Sequence, residues 1–127
     1  RVDMQLKKMG KDFIQLTGED NNALEFNKRG GVGCISVTAN VASKLCSEMQ
    51  LFSQTINNKN EELKAKEIND LLTPLHNALF IESNPSPVKY AASLLKLAPE
   101  DVRLPLVKIT KETQETVKIA LKIAKLI

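Results

Sequence analysis

Gly30-Gly31-Val32-Gly33-Cys34-Ile35-Ser36-Val37-Thr38-Ala39-Asn40-Val41 reads as the end of one helix, a short buried strand and the start of another helix. The paired glycines suit a chain leaving a helix, because glycine reaches positive φ without a Cβ clash. Cys34 to Val37 is short, apolar and partly β-branched, which predicts a strand covered on both faces. Thr38 or Asn40 then caps the following helix. In parallel α/β folds, ligands sit at the carboxyl ends of strands, so residues 35–40 are the first place to look for function.

Upstream, a helix over residues 1–9 ends at Gly10, and Asp12 to Thr17 forms a short strand closed by Gly18. Glu19 and Asp20 follow as cap and first-turn acids of a helix carrying Ala23, Leu24 and Phe26. Strand, helix, glycine turn and strand make a βαβ unit with short loops, and further strands are expected to flank it, since a two-stranded parallel sheet is not stable alone. The chain opens inside an amphipathic helix with no preceding methionine, which reads as a cut end.

Downstream the pattern is helical. Val41, Leu45, Met49, Phe52 and Ile56 recur at spacings of three and four, so one long amphipathic helix is expected, then a turn at residues 57–60. A second helix runs from Glu61 to about Phe80 with Ile68, Leu71, Leu72, Leu75 and Leu79 inward, and Pro74 predicts a kink near Asp70. A Pro/Asn/Ser loop over 81–87 leads to a helix from Val88 to Leu97, with Pro87 at its first position. After an irregular stretch with Pro99 and Pro105, Thr110 caps a last helix that buries Val117, Leu121 and Ala124.

The chain has 127 residues, 26% of them charged, and a net charge of +3, which fits one domain with a mixed surface and does not argue for nucleic acid. No apolar run approaches the ~20 residues of a membrane span, and no signal peptide is visible. Cys34 and Cys46 form no CxxC pair and read as reduced core thiols, implying a reducing, cytoplasmic compartment. The single histidine, His76, cannot build a histidine-rich metal site and reads as a packing or surface-polar residue rather than a base. No catalytic constellation assembles, and every lysine falls on a helix, a turn or the irregular tail, so none is a credible Schiff-base nucleophile. Gly18 remains, where a substrate can approach backbone closely, with Ile35 or its neighbours presenting an apolar wall and a carbonyl oxygen to a small ligand.

Leu16-Thr17-Gly18-Glu19-Asp20, the 30–41 stretch, Pro74-Leu75-His76-Asn77-Ala78-Leu79-Phe80, Asn84-Pro85-Ser86-Pro87-Val88-Lys89-Tyr90 and Arg103-Leu104-Pro105-Leu106 together resemble the dihydrodipicolinate synthase family, in order and with matching gaps. The resemblance implies an α/β fold: the C-terminal portion of a (β/α)8 TIM barrel, its last two βα units, plus an α-helical extension. Residues 1–57 would be the barrel end (helix 6 remnant, strand 7, helix 7, strand 8 and helix 8) and residues 58–127 the extension. It implies a class I aldolase-type lyase of lysine (diaminopimelate) biosynthesis. There a lysine Schiff base with pyruvate attacks L-aspartate 4-semialdehyde to give 4-hydroxy-tetrahydrodipicolinate, without a cofactor.

By that resemblance, Ile35 contacts pyruvate and Gly18 lines the same pocket. The Schiff-base lysine, the tyrosine and threonine proton relay, the semialdehyde-binding arginine and the lysine-feedback site belong upstream of this chain. No catalytic residue is therefore expected in it, and the isolated chain is expected to be inactive. A cytoplasmic homotetramer is implied for the parent enzyme. The chain departs from the family pattern at Thr17, Glu19, Cys34, Ser83, Ser86 and Tyr90. The rival expectations are a non-catalytic helical interaction module from a split gene, and a fragment complemented by a separate upstream chain.

Overall fold

The computed structural model describes residues 2–10, 12–55 and 58–127. Six α-helices run along the described chain: α1 (Val2–Met9), α2 (Ala23–Lys28), α3 (Ala39–Ser53), α4 (Lys59–Ala78), α5 (Ser86–Leu94) and α6 (Lys111–Ile123). A single 3-10 turn, Asp20–Asn22, leads into α2.

The two strands expected over 12–17 and 33–38 contract to one parallel bridge, Thr17 with Cys34, and no strand forms among the described residues. Three hydrogen bonds hold the segments together: Val32 N–H donates to the Gln15 carbonyl at 3.0 Å, Thr17 N–H to Gly33 at 3.0 Å, and Ile35 N–H to Thr17 at 2.8 Å. The parallel direction and the register are those of a βαβ unit. Pairing stops after one bridge because no further strand flanks either segment among the described residues, and an isolated parallel pair gains too little to extend.

Cover on both faces is also corrected. Gln15 and Thr17 are buried against the helices, whereas Ile14, Leu16, Val32 and Ile35 are exposed. The face turned away from the helices has nothing packed on it among the described residues. Leu16 lies over Gly33, where an added Cβ would meet its Cδ2 at 3.2 Å.

Glycine ends both early helices. Gly10, at φ +87, donates to the Leu6 carbonyl at 3.0 Å. Gly30, at φ +99, donates to Asn27, and Gly31 then reaches the Phe26 carbonyl at 3.0 Å, which turns the chain back toward the bridge.

The helical layer follows the apolar periodicity. The larger core joins Val41, Ala42 and Cys46 of α3, Leu72, Leu75 and Leu79 from α4 and its end, Val88, Tyr90 and Ala91 of α5, and Val117 and Leu121 of α6. A smaller cluster of Ala23, Leu24, Met49 and Ala65 fixes α2 against α3 and α4. Of the residues expected to face inward on α4, Ile68 and Leu71 are only partly buried, Ile68 at the rim of both clusters.

Several boundaries move. Helix α4 begins at Lys59, because the Asn58 side chain accepts from Asn60 N–H at 3.1 Å and Glu61 N–H at 3.4 Å. This cap shortens the turn expected over 57–60, of which Asn57, like Ile56 of the preceding expected helix, lies outside the described residues. Helix α4 stays continuous across Pro74. The break in helical dihedrals falls instead in α3, at Ala42 (φ −135, ψ 43). Pro87 sits in the first turn of α5, which stops at Leu94 rather than Leu97. Thr110 caps α6 as expected, its hydroxyl accepting from Thr113 N–H at 3.3 Å.

Candidate functional site

Gly18 and Ile35 come together. Ile35 follows the bridging Cys34, and its N–H donates to the Thr17 carbonyl, so it lies alongside Gly18 at the carboxyl ends of the paired segments. Both are open: Ile35 is 73% exposed, and a Cβ built on Gly18 would meet nothing within 4 Å. Gly18 also lines a cleft of about 550 Å³ with Ile14, Leu16, Thr17 and Phe26. Here the chain offers a branched apolar surface and bare backbone, which suit contact with a small ligand and supply neither nucleophile nor base.

Behind this corner lies a buried polar cluster. Asp20 is 4% exposed. It does not cap its own helix. One carboxylate oxygen accepts from Val37 N–H at 2.9 Å and Thr38 N–H at 3.2 Å, and the other accepts from the Ser36 hydroxyl. Ser36 Oγ in turn accepts from Ala39 N–H at 2.8 Å. The start of α3 is thus capped by Ser36 and Asp20, and neither expected cap serves: Thr38 makes no capping bond, and the Asn40 side chain donates to the Val37 carbonyl. Glu19, at the cap position of the 3-10 turn, makes no side-chain cap either. The acid pair therefore splits, one member solvent-facing and one a tether between two loops.

Thr38 gives its side chain to His76 of α4, with Oγ1 and Nδ1 2.7 Å apart. His76 is buried, so the surface-polar alternative fails, and it belongs to a hydrogen-bonded network rather than to apolar packing alone. Burial pushes its pKa down, with Asp20 opposing. Burial also pushes the Cys34 thiol up to about 12 and Cys46 to about 11, the negative charge of Asp20 adding to both. Both cysteines are free thiols with little thiolate character.

The lysines whose pKa is displaced, Lys66, Lys108 and Lys118, are all pushed up by carboxylate partners on the surface, opposite to what an imine-forming amine requires. No lysine is buried among the described residues. Among those residues no group of three or more His, Cys, Asp or Glu is placed to hold a metal ion, and no helix is long and apolar enough to cross a membrane.

Sequence reasoning missed the Asp20–Ser36–Thr38–His76 cluster because its members are 38 residues apart at the widest hydrogen-bonded pair. The only local signal was a polar run, Ser36 and Thr38, inside an otherwise apolar strand.

Comparison with known proteins bears on this geometry. The dihydrodipicolinate synthetase family model matches residues 1–124. The 4-hydroxy-tetrahydrodipicolinate synthase of Pelagibacter ubique is 59% identical over 127 residues, which are 100% of this chain and 43% of that protein. That of Parvibaculum lavamentivorans is 52% identical over the whole chain and 42% of its own length. The chain thus spans about two fifths of the length of the curated relatives it matches.

Among solved structures, the chloride-inhibited dihydrodipicolinate synthase from Acinetobacter baumannii complexed with pyruvate superposes with a TM-score of 0.90 at 35% identity, covering 100% of this chain and 42% of that one. The enzyme from Aquifex aeolicus superposes at 0.89 and 32% identity, covering 99% and 42%. The fold is therefore the one expected from the sequence: the C-terminal portion of a (β/α)8 barrel with a helical extension, here mostly helical.

Proposed function

The chain belongs to the dihydrodipicolinate synthetase family, and on that premise we propose that it is the C-terminal part of a 4-hydroxy-tetrahydrodipicolinate synthase. In this reading, residues 1–57 close the barrel and residues 58–127 form the helical extension. A lysine amine outside this chain condenses with the pyruvate carbonyl, releasing water. The derived enamine carbon then bonds to the aldehyde carbon of L-aspartate 4-semialdehyde, whose oxygen takes up a proton. Ring closure by attack of the semialdehyde's own amine on the imine carbon releases the lysine amine and gives the product on the way to lysine. No cofactor is called for. The whole enzyme is proposed to be a cytoplasmic homo-oligomer, a tetramer by resemblance.

This chain's share is one wall of the pyruvate pocket. Ile35 supplies an apolar contact and backbone oxygen, and Gly18 leaves room for substrate against the main chain. The observation that carries the reading is the juxtaposition of Ile35 and Gly18 on the open side of the bridge, in a chain 59% identical to a synthase. A relative of the same fold is described as complexed with pyruvate, which supports the choice of ligand.

A chimera tests it: the matching stretch of the Pelagibacter ubique enzyme is replaced by this chain, and condensation of pyruvate with the semialdehyde is followed. Turnover is expected, with Ile35→Ala raising KM for pyruvate several-fold while imine trapping by borohydride persists. A folded chimera without turnover overturns the assignment. The isolated chain is expected to trap no imine under the same conditions, and a mass shift on any of its lysines would contradict the absence of the nucleophile.

A further inference from the structure

His76 has one nitrogen at work and one without a partner. Nδ1 is 2.7 Å from Thr38 Oγ1, whereas Nε2 is buried and has no hydrogen-bond partner among the described residues. Thr38 is fully buried, at 0% exposure, and its hydroxyl contacts no other acceptor among the described residues. If Nδ1 carried the proton, both the Thr38 hydroxyl hydrogen and the Nε2 lone pair would be orphaned. With the proton on Nε2, the hydroxyl donates to Nδ1 and only the Nε2–H remains to be satisfied. An orphaned buried polar group costs about 1–3 kcal/mol, so the second tautomer is favoured.

His76 also lines a cavity of about 190 Å³, together with Asp20, Ser36, Ser43, Ser47 and Gln50. Its walls are mostly apolar, with Cys34, Ala39, Cys46 and Met49 among them. We propose that His76 is a positioning residue: a neutral imidazole, protonated at Nε2, that accepts a hydrogen bond from the Thr38 hydroxyl at Nδ1 and thereby fixes the corner that presents Ile35. The pyruvate half of this assignment rests on the function proposed above.

The path from imidazole to ligand wall is short. Thr38 stands three residues beyond Ile35, and the intervening Ser36 and Val37 are held by Asp20, which itself follows Gly18 by two residues. Both sides of the pocket wall are therefore tied to one cluster, and His76 ties that cluster to α4. A packing role would require only the ring's volume. A positioning role requires an acceptor at Nδ1.

Nitrogen-15 NMR of the chain tests the tautomer, and amide exchange at Val37 and Thr38 tests the tether. The proton is expected on Nε2, with that preference lost in Thr38→Val and kept in Thr38→Ser. His76→Leu, which keeps volume without an acceptor, is expected to speed exchange at both amides on the order of tenfold and to shift the Ile35 methyl resonances. His76→Asn, whose carbonyl oxygen falls near the Nδ1 position, is expected to restore both readouts. In the chimera, KM for pyruvate rises several-fold with His76→Leu and recovers with His76→Asn, with kcat less affected. A proton found on Nδ1, or a His76→Leu chain matching wild type in exchange and Ile35 shifts, overturns the proposal. An inactive unsubstituted chimera overturns the pyruvate half, while the tautomer and exchange still decide the tether.

Discussion

Asp20→Ala removes one acceptor group shared by four donors: the Ser36 hydroxyl, Val37 N–H at 2.9 Å, Thr38 N–H at 3.2 Å and, weakly, the Cys34 thiol at 4.0 Å. A buried donor left unsatisfied costs about 1–3 kcal/mol. Ser36 borders the 190 Å³ cavity and can turn its hydroxyl toward water, so the two backbone donors dominate. The expected loss is about 2–6 kcal/mol, a large share of the ~5–15 kcal/mol available to a domain. Asp20→Asn keeps a carbonyl oxygen for the backbone donors but loses the charge that roughly doubles such bonds, so it is expected to lose about 1–2 kcal/mol. Urea unfolding followed by circular dichroism, with unchanged slopes, measures both. Amide exchange at Val37 and Thr38 localises the effect. An alanine variant within about 0.5 kcal/mol of wild type, or an asparagine variant as damaged as the alanine one, would refute the tether.

Three further outcomes follow from the structure. Gly31→Ala would place a Cβ 2.1 Å from two Phe26 ring atoms and 2.9 Å from the Phe26 carbonyl oxygen, so a loss of about 1–3 kcal/mol is expected on urea unfolding, whereas Gly18→Ala, with nothing within 4 Å, is expected to stay within about 0.5 kcal/mol. His76 has its pKa lowered from 6.5 by burial, so the unfolded chain binds a proton first. Its contribution to stability is complete above about pH 6.5 and falls as pH drops below it, and pH-dependent unfolding midpoints of His76→Asn should lack this component. Cys34 and Cys46, raised from 9.0 to about 12 and about 11, should alkylate on the order of a hundredfold or more slower in the folded chain than in urea, and equal rates would show that these thiols are not held in the buried environment described.

The helices were legible because apolar residues at spacings of three and four leave little choice of face, and Val117, Leu121 and Ala124 are buried as the pattern requires. The parallel direction of the paired segments was legible from the glycine punctuation. Their length was not, because strand extension depends on neighbours that composition does not reveal. Cys34 to Val37 read as doubly covered since an apolar strand looks the same whether its second face meets protein or not, and Ile35 is the residue that shows the difference. Caps were misassigned for a related reason: Thr38 is the right type in the right place, but a histidine 38 residues away in sequence takes its hydroxyl. On the candidate site, the nearness of Gly18 and Ile35 was legible from their position at strand ends, whereas the network behind them is made of long-range pairs invisible to local pattern.

The two cores are unequal, and their inequality separates durability from recognition. The larger cluster is built from α3 to α6, and no residue before Val41 is among its buried members. The loops that carry Gly18 and Ile35 are joined to it through polar tethers, the partly buried Val37 and the four-residue cluster of Ala23, Leu24, Met49 and Ala65. Gradual loosening would therefore begin at the corner that carries Gly18 and Ile35 while the helical layer still gave a native spectrum. Bulk helicity is a poor proxy for an intact site in this chain, and substitutions that spare the one can silently erase the other.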